Sequence, residues 1–247
     1  AGSGTGVLLT NLDVGLDAHL LVAALVLFTA QLVGSRWMLA DDAAYRHRAT
    51  PAERTGGHAP RRRDRFGLIG LAALGLGGVA LEVTPGDWAA FRFTDDLGTS
   101  EAFAALGYLA VATGMTVGRF AGDWVAQRIP ARRLSRLAMT TALAGVAVAT
   151  LVPDRFVDLL GFLIAGLGAS TLLPTLYDRA AHRPGRAGAG LGALTAGLRV
   201  GFLVLPLVTG GLAGTALDVG PAMAIVALSA AALFAAADAV ASRTART

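Results

Sequence analysis

Seven blocks of apolar residues alternate along the chain with polar gaps: His19–Leu39, Phe66–Val83, Ala102–Val117 (extending through Gly122), Leu137–Val152, Phe156–Tyr177, Ala189–Ala213 and Pro221–Val240. A bilayer core of about 30 Å is crossed by about 20 apolar residues in an α-helix. Each block reaches or nearly reaches that length, the third and fourth only if flanking polar side chains snorkel. The apolar positions do not show the three-four spacing of a helix with one wet face, and a helix apolar all round is buried in a core or in lipid. The pattern therefore predicts an all-α, polytopic membrane helix bundle with seven transmembrane helices. The second block is expected to stop near Thr84-Pro85-Gly86, because Pro85 removes a backbone donor and Gly86 loosens the chain. The third is expected to close with a tight turn over Gly118–Asp123, followed by a basic loop carrying Arg128, Arg132, Arg133 and Arg136.

Composition strengthens this picture. Hydrophobic residues make up 54% and charged residues 15% of the chain, against roughly 45–50% and about 25% in soluble domains. Mean hydropathy is +0.59. There is no cysteine, which excludes a disulfide framework, thiolate metal ligands and a cysteine nucleophile. A pI near 10.5 raises the question of nucleic acid. The arginines, however, sit between apolar blocks and form no basic domain, so no nucleic-acid partner is expected.

Charge also orients the chain. The gaps at 40–65, 123–136 and 178–187 and the C-terminal tail hold sixteen arginines, whereas the alternate gaps hold only Arg92 and Arg155, with Asp95, Asp96, Glu101 and Asp154 beside them. The positive-inside rule then places the C-terminus in the cytoplasm and, with seven spans, the N-terminus outside. Residues 1–39 read as an extracytoplasmic start and one transmembrane helix, 40–65 as a basic cytoplasmic linker, 66–241 as a group of six helices and 242–247 as a cytoplasmic tail. The start has no Met and no basic region before its apolar run, as a signal peptide has, and reads as an internal point of a longer chain.

Three stretches, in order, carry a family resemblance. GRFAGDWVAQRIPARR (Gly118–Arg133) resembles the cytoplasmic loop signature of the major facilitator superfamily, between helices eight and nine. GLGASTLLPTLYDRAAHRPG (Gly166–Gly185) resembles the tenth helix and following loop of bacterial members of the YbjJ-like and fucose-permease-like group. LEVTPGDWAAFRF (Leu81–Phe93) resembles the seventh helix of the same group. One span, a basic loop and six more spans is similar to the C-terminal half of such a transporter, helix six plus helices seven to twelve. Pro130, Trp124, Thr84-Pro85-Gly86 and Arg199 depart from the family pattern.

Within that resemblance a few residues draw notice. Arg199 falls near the middle of its span, where a charge is costly and normally faces a bundle interior or a wet cavity; it is a candidate substrate or coupling residue. Glu82 and Asp87 are its candidate partners, with Glu82 counted from Phe66 into the outer third of the bilayer and Asp87 at a helix end. Trp88 either lines a cavity or sits in the interfacial aromatic belt. Gly118, Arg119, Gly122, Asp123 and Arg128 form a candidate conformational gate, in which Asp123 pairs with a base on a neighbouring helix. Gly114, Gly118 and Gly122 also present a smooth face for close helix packing. Pro174 and Pro206 are expected to kink their helices, and Gly197-x-x-x-Gly201 to favour close packing.

The resemblance implies a secondary transporter, or a C-terminal piece of one. Such a protein moves a small polar solute across the bacterial inner membrane by alternating access, with proton coupling as an option. The expected partners are a small-molecule solute, the lipid bilayer, and a missing N-terminal half or a homodimer partner. The alternative is a non-transporting membrane subunit or degenerate half-transporter acting in assembly or sensing. No nucleophile–base pair, P-loop, dinucleotide fingerprint or metal-ligand spacing is present, so neither an enzyme activity nor a cofactor or metal is expected.

Overall fold

The computed structural model describes residues 21, 22, 24–26, 28–34, 62–182 and 187–245. The chain divides into two units, Ala1–Ala59 and Pro60–Thr247. In the first, Ala24–Gly34 is a short apolar helix, with the Thr29 hydroxyl donating to the Leu25 carbonyl at 2.6 Å. The remainder of the expected first span and nearly all of the 40–65 linker lie outside the described residues.

The second unit is built from six long helices: α1 (Arg62–Phe91), α2 (Glu101–Ala126), α3 (Ala131–Leu151), α4 (Arg155–Ala181), α5 (Ala187–Ala213) and α6 (Val219–Ala245). Each contains a stretch long and apolar enough to cross a bilayer. Short connections join α1 to α2, α2 to α3, α3 to α4 and α5 to α6, and neighbours in sequence run in opposite directions.

Two boundaries differ from the sequence expectation. The second span does not stop at Pro85: α1 runs through it to Phe91, and a five-residue π-helix, Arg92–Asp96, extends the same rod. An interior proline forfeits one backbone hydrogen bond. Here Thr84, Pro85, Ala89 and Phe93 are all buried, and the packing they gain offsets that loss. Nor is Gly118–Asp123 a turn. α2 continues to Ala126, and the chain reverses over residues 127–130, where the Arg128 and Ile129 amides donate to the Val125 carbonyl at 2.9 and 3.0 Å.

Small residues explain how the helices pack. A Cβ at Gly114 would strike the Leu163 carbonyl, one at Gly118 would lie 2.8 Å from the Leu167 carbonyl, and one at Gly166 would strike the Val111 carbonyl, so α2 and α4 run side by side in parallel. Gly145 against Ala165, Gly161 against Ala149 and Gly168 against Ala142 clasp α4 to antiparallel α3. On the other side, Gly197 abuts Ala72 and Gly75 abuts Leu194, joining α1 to parallel α5, while Gly77 meets the Ala230 carbonyl of antiparallel α6. Between apolar helices, such close backbone approach supplies much of the attraction.

The result has an internal two-fold pattern. α1 leans mainly on α5 and α6, and α4 leans mainly on α2 and α3, with α1 and α4 touching each other. Exchanging α1–α3 with α4–α6 reproduces the same set of principal contacts, with the direction of every helix reversed. Two buried clusters fill the interior, one around Leu74, Leu81, Leu172 and Phe234 and one around Phe93, Phe162 and Met223. α2 and α5 are the least buried helices, each with 28% of its most apolar stretch buried, against 44–56% for the other four.

Candidate functional site

Charged side chains gather at three levels of the bundle. At the end where α1 finishes and α4 and α6 begin, the π-helix turns Arg92 and Asp96 to the same side. Arg92 Nε donates to Asp158 Oδ2 at 2.9 Å, and its Nη1 donates to Asp96 Oδ2 at 2.7 Å. Asp96 also accepts from the amides of Val219 and Gly220 at 3.0 and 2.7 Å, where the unpaired N–H groups of a helix start favour an anion. Arg92 and Asp158 are 5% and 0% exposed. Burial of this depth is tolerated only because each charge has partners. Three helix ends are thereby tied together.

At the opposite, arginine-rich end, Asp238 of α6 is enclosed by three arginines. Arg132 Nε donates to Oδ2 at 3.3 Å, Arg136 donates through Nε and Nη2 at 2.9 and 2.6 Å, and Arg179 Nη2 donates to Oδ1 at 2.6 Å. Arg179 Nη1 reaches the Ser135 hydroxyl at 3.0 Å. This cluster ties the start of α3 to the ends of α4 and α6.

Between the two lies Glu82. The span to which it belongs is Phe66–Asp96, so Glu82 sits about 24 Å from one end and about 21 Å from the other at 1.5 Å per residue. The helix does not stop at Pro85, so Glu82 lies near the middle of this long helix and not near its end. It is half-buried, and Arg119 of α2 exerts a Coulombic pull on it. Arg199, also mid-helix in α5, is exposed and, among the described residues, forms no ion pair or side-chain hydrogen bond. It lies two residues from both Gly197 and Gly201, whose faces meet α1, so its side chain projects away from Glu82's helix. Asp87 is exposed on α1. The expected pairing of Arg199 with Glu82 or Asp87 does not occur within this chain.

Trp88 is partly buried against α5. Its ring packs where Gly210 of α5 leaves room and lies 5.4 Å from the Phe91 ring. Of the gate candidates, Gly118 and Gly122 spend their open faces on Ser170 and Thr171 of α4. Arg119 is exposed. Arg128 folds back on its own helix end, donating to the Trp124 carbonyl at 2.8 Å with its guanidinium 3.7 Å from the Trp124 ring centre. Asp123 belongs to α2, but its side chain lies outside the described residues.

The sequence reading missed the buried carboxylates around which these two clusters form. Asp158 and Asp238 stood alone in apolar blocks, which is itself a signal that an ionisable group has a partner. Arg92 had been counted as a loop arginine.

Three relatives are similar to this chain. An uncharacterized transporter, y4wD, of Sinorhizobium fredii is 34% identical over 116 residues, covering 46% of this chain and 30% of the relative. Membrane protein MosC of Rhizobium meliloti is 28% identical over 185 residues, covering 72% of this chain and 43% of MosC. An uncharacterized MFS-type transporter of Yersinia pestis is 28% identical over 97 residues, covering 39% of this chain and 25% of the relative. No family model and no solved structure matches the chain. The chain spans less than half the length of each of these relatives. It is an all-helical, multi-pass membrane protein whose relatives include named transporters, one of them of the MFS type.

Proposed function

We propose that this chain forms one half of a secondary transporter of the major facilitator kind, the part corresponding to helices seven to twelve. The observation that carries the reading is the three-plus-three exchange of helix contacts. Nested inverted repeats of three helices are how each half of such transporters is built, with solute sites near the bilayer midplane between halves. α1 to α6 take the places of helices seven to twelve, and the arginine-rich end faces the cytoplasm.

Two mid-span charges are left for work. Glu82, half-buried on α1, is the coupling carboxylate, with Arg119 of α2 acting on it electrostatically. Arg199 projects from the sparsely buried α5 and contacts a small polar solute, or a group on a second body. That second body is a missing N-terminal half or a second copy of the chain, and it covers α2 and α5. Arg119 and Asp123 retain the gating role, while Gly118 and Gly122 serve α2–α4 packing.

Solute uptake into proteoliposomes of the full-length protein tests this. Glu82→Gln and Arg199→Ala are expected to lower uptake about tenfold or more, the scale on which losing a buried charged contact acts. Uptake by both variants at the parental rate would overturn the site. Uptake by the 247-residue chain as a monomer would overturn the half-transporter reading.

A further inference from the structure

We propose that Asp158 is a proton-binding site, its Oδ1 taking and releasing one proton at the end of the bundle opposite the Asp238 cluster. The site is built from three buried side chains. Arg92 carries one positive charge, and Asp96 and Asp158 carry one negative charge each; the three side chains are 6%, 5% and 0% exposed. One negative charge is therefore in surplus where almost no water reaches it. The two carboxylates do not share that surplus equally. Asp96 accepts from Arg92 Nη1 and from the amides of Val219 and Gly220. Asp158 accepts through Oδ2 from Arg92 Nε, and its buried Oδ1 has no hydrogen-bond partner among the described residues. An ionised carboxylate out of water and short of donors is far costlier than the neutral acid, which needs no countercharge. A proton on Oδ1 removes the surplus and leaves Arg92 and Asp96 as a balanced pair, with Asp96 still seated on the start of α6.

No neighbouring group supplies a second countercharge. On α4 itself, Asp154 lies one turn before Asp158 and caps the helix by accepting from the Phe156 and Val157 amides. Asp154 and Asp96 repel the Asp158 carboxylate, and Arg92 attracts it. Arg155 is turned onto the Phe103 and Phe156 rings. The π-helix adds Asp95, which is exposed and accepts from the Thr94 hydroxyl. α6 adds exposed Asp218 just before its first turn, and α2 adds exposed Glu101 at its start. α3 has no ionisable residue after Arg136. Among the described residues, every charge at this end other than Arg92 and Arg155 is thus negative. Binding the proton turns the Arg92–Asp158 ion pair into a neutral contact, and hydrogen bonds between charged groups are roughly twice as strong as neutral ones. Occupancy of the site therefore sets how firmly α1 is tied to α4.

Infrared difference spectroscopy of the full-length protein in lipid nanodiscs reads the proton directly and without reference to transport. One sample carries aspartate isotopically labelled at the side-chain carboxyl. As pH is raised from about 5.5 to about 9, where exposed aspartates are already ionised, the parent is expected to lose one carbonyl band of a protonated carboxylic acid. The label is expected to shift that band, which assigns it to aspartate and excludes Glu82. Asp158→Asn is expected to lack the band. Asp158→Glu, which keeps a carboxyl in place, is expected to keep a band that the label no longer shifts. Asp96→Asn leaves Arg92 to Asp158 alone and is expected to weaken proton binding about tenfold or more, read as a lower midpoint pH, whereas Arg92→Gln is expected to tighten it by a similar factor. No aspartate band in the parent, an unchanged band in Asp158→Asn, or a midpoint unmoved by both Asp96→Asn and Arg92→Gln would each overturn the proposal.

Discussion

At the scale of single residues, the costliest groups here are carboxylates in apolar helices. Asp158 has no exposed surface, and Arg92 is its bonded partner. Removing one member of such a pair strands the other and costs about 3–5 kcal/mol. Arg92→Gln is thus expected to lower thermal stability sharply, and Arg92→Gln combined with Asp158→Asn to lose less than the two single changes added together. Thermal unfolding of the four proteins in one detergent checks this; additivity would show that the contact is not energetically coupled. The same cycle separates the two possible partners of Glu82. Arg119 acts on it electrostatically, whereas Arg199 projects elsewhere. Glu82→Gln is expected to couple to Arg119→Gln by about 0.5 kcal/mol or more and to add simply to Arg199→Gln.

At the scale of elements, α1 is one rod from Arg62 to Phe91 continued by the π-helix to Asp96. The chain has no cysteine, so single introduced cysteines report cleanly. Ala89→Cys, fully buried beyond Pro85, is expected to resist a membrane-impermeant maleimide, and Gly98→Cys in the following turn to react. Labelling at residue 89 would mean that the span ends at Pro85 after all. Glycines divide in the same way. Gly114→Leu and Gly197→Leu drive a side chain into backbone on a facing helix and are expected to cost at least the about 1–3 kcal/mol of ordinary overpacking. Gly86→Leu has open space within 4 Å and is expected to leave the unfolding midpoint within a few degrees of the parent. Equal losses at all three positions would detach the close packing from stability.

At the scale of the whole molecule, alternate helix ends must lie on opposite faces of the membrane. Gly98→Cys and Thr215→Cys, in the turns after the π-helix and after α5, are expected to label from one side. Gln127→Cys, in the turn after α2, is expected to label from the other. In intact cells the first two should react from outside if the arginine bias sets the orientation. The reverse pattern would invert the molecule and move the Asp238 cluster to the outer surface. The two buried ion clusters then mark the two membrane faces. Each ties together helix ends from both three-helix repeats.

Hydropathy and charge are local sums along the chain, and they determined what local sums can: the all-α class, the existence and approximate placement of six spans, though not where the second one ends, and the end at which the arginines gather. Pairings between distant residues are not in those sums. Arg92 meets Asp158 across 66 positions, and Arg132 meets Asp238 across 106. Which glycine faces which backbone, whether a proline ends a helix or is carried through it, and how deep Glu82 lies all follow from what packs against them. Glu82 moved to mid-span because buried neighbours hold α1 together past Pro85. Arg199 parted from Glu82 because Gly197 and Gly201 claim the face of α5 that meets α1. The sequence wrote the helices, and only their packing decided which charges face one another.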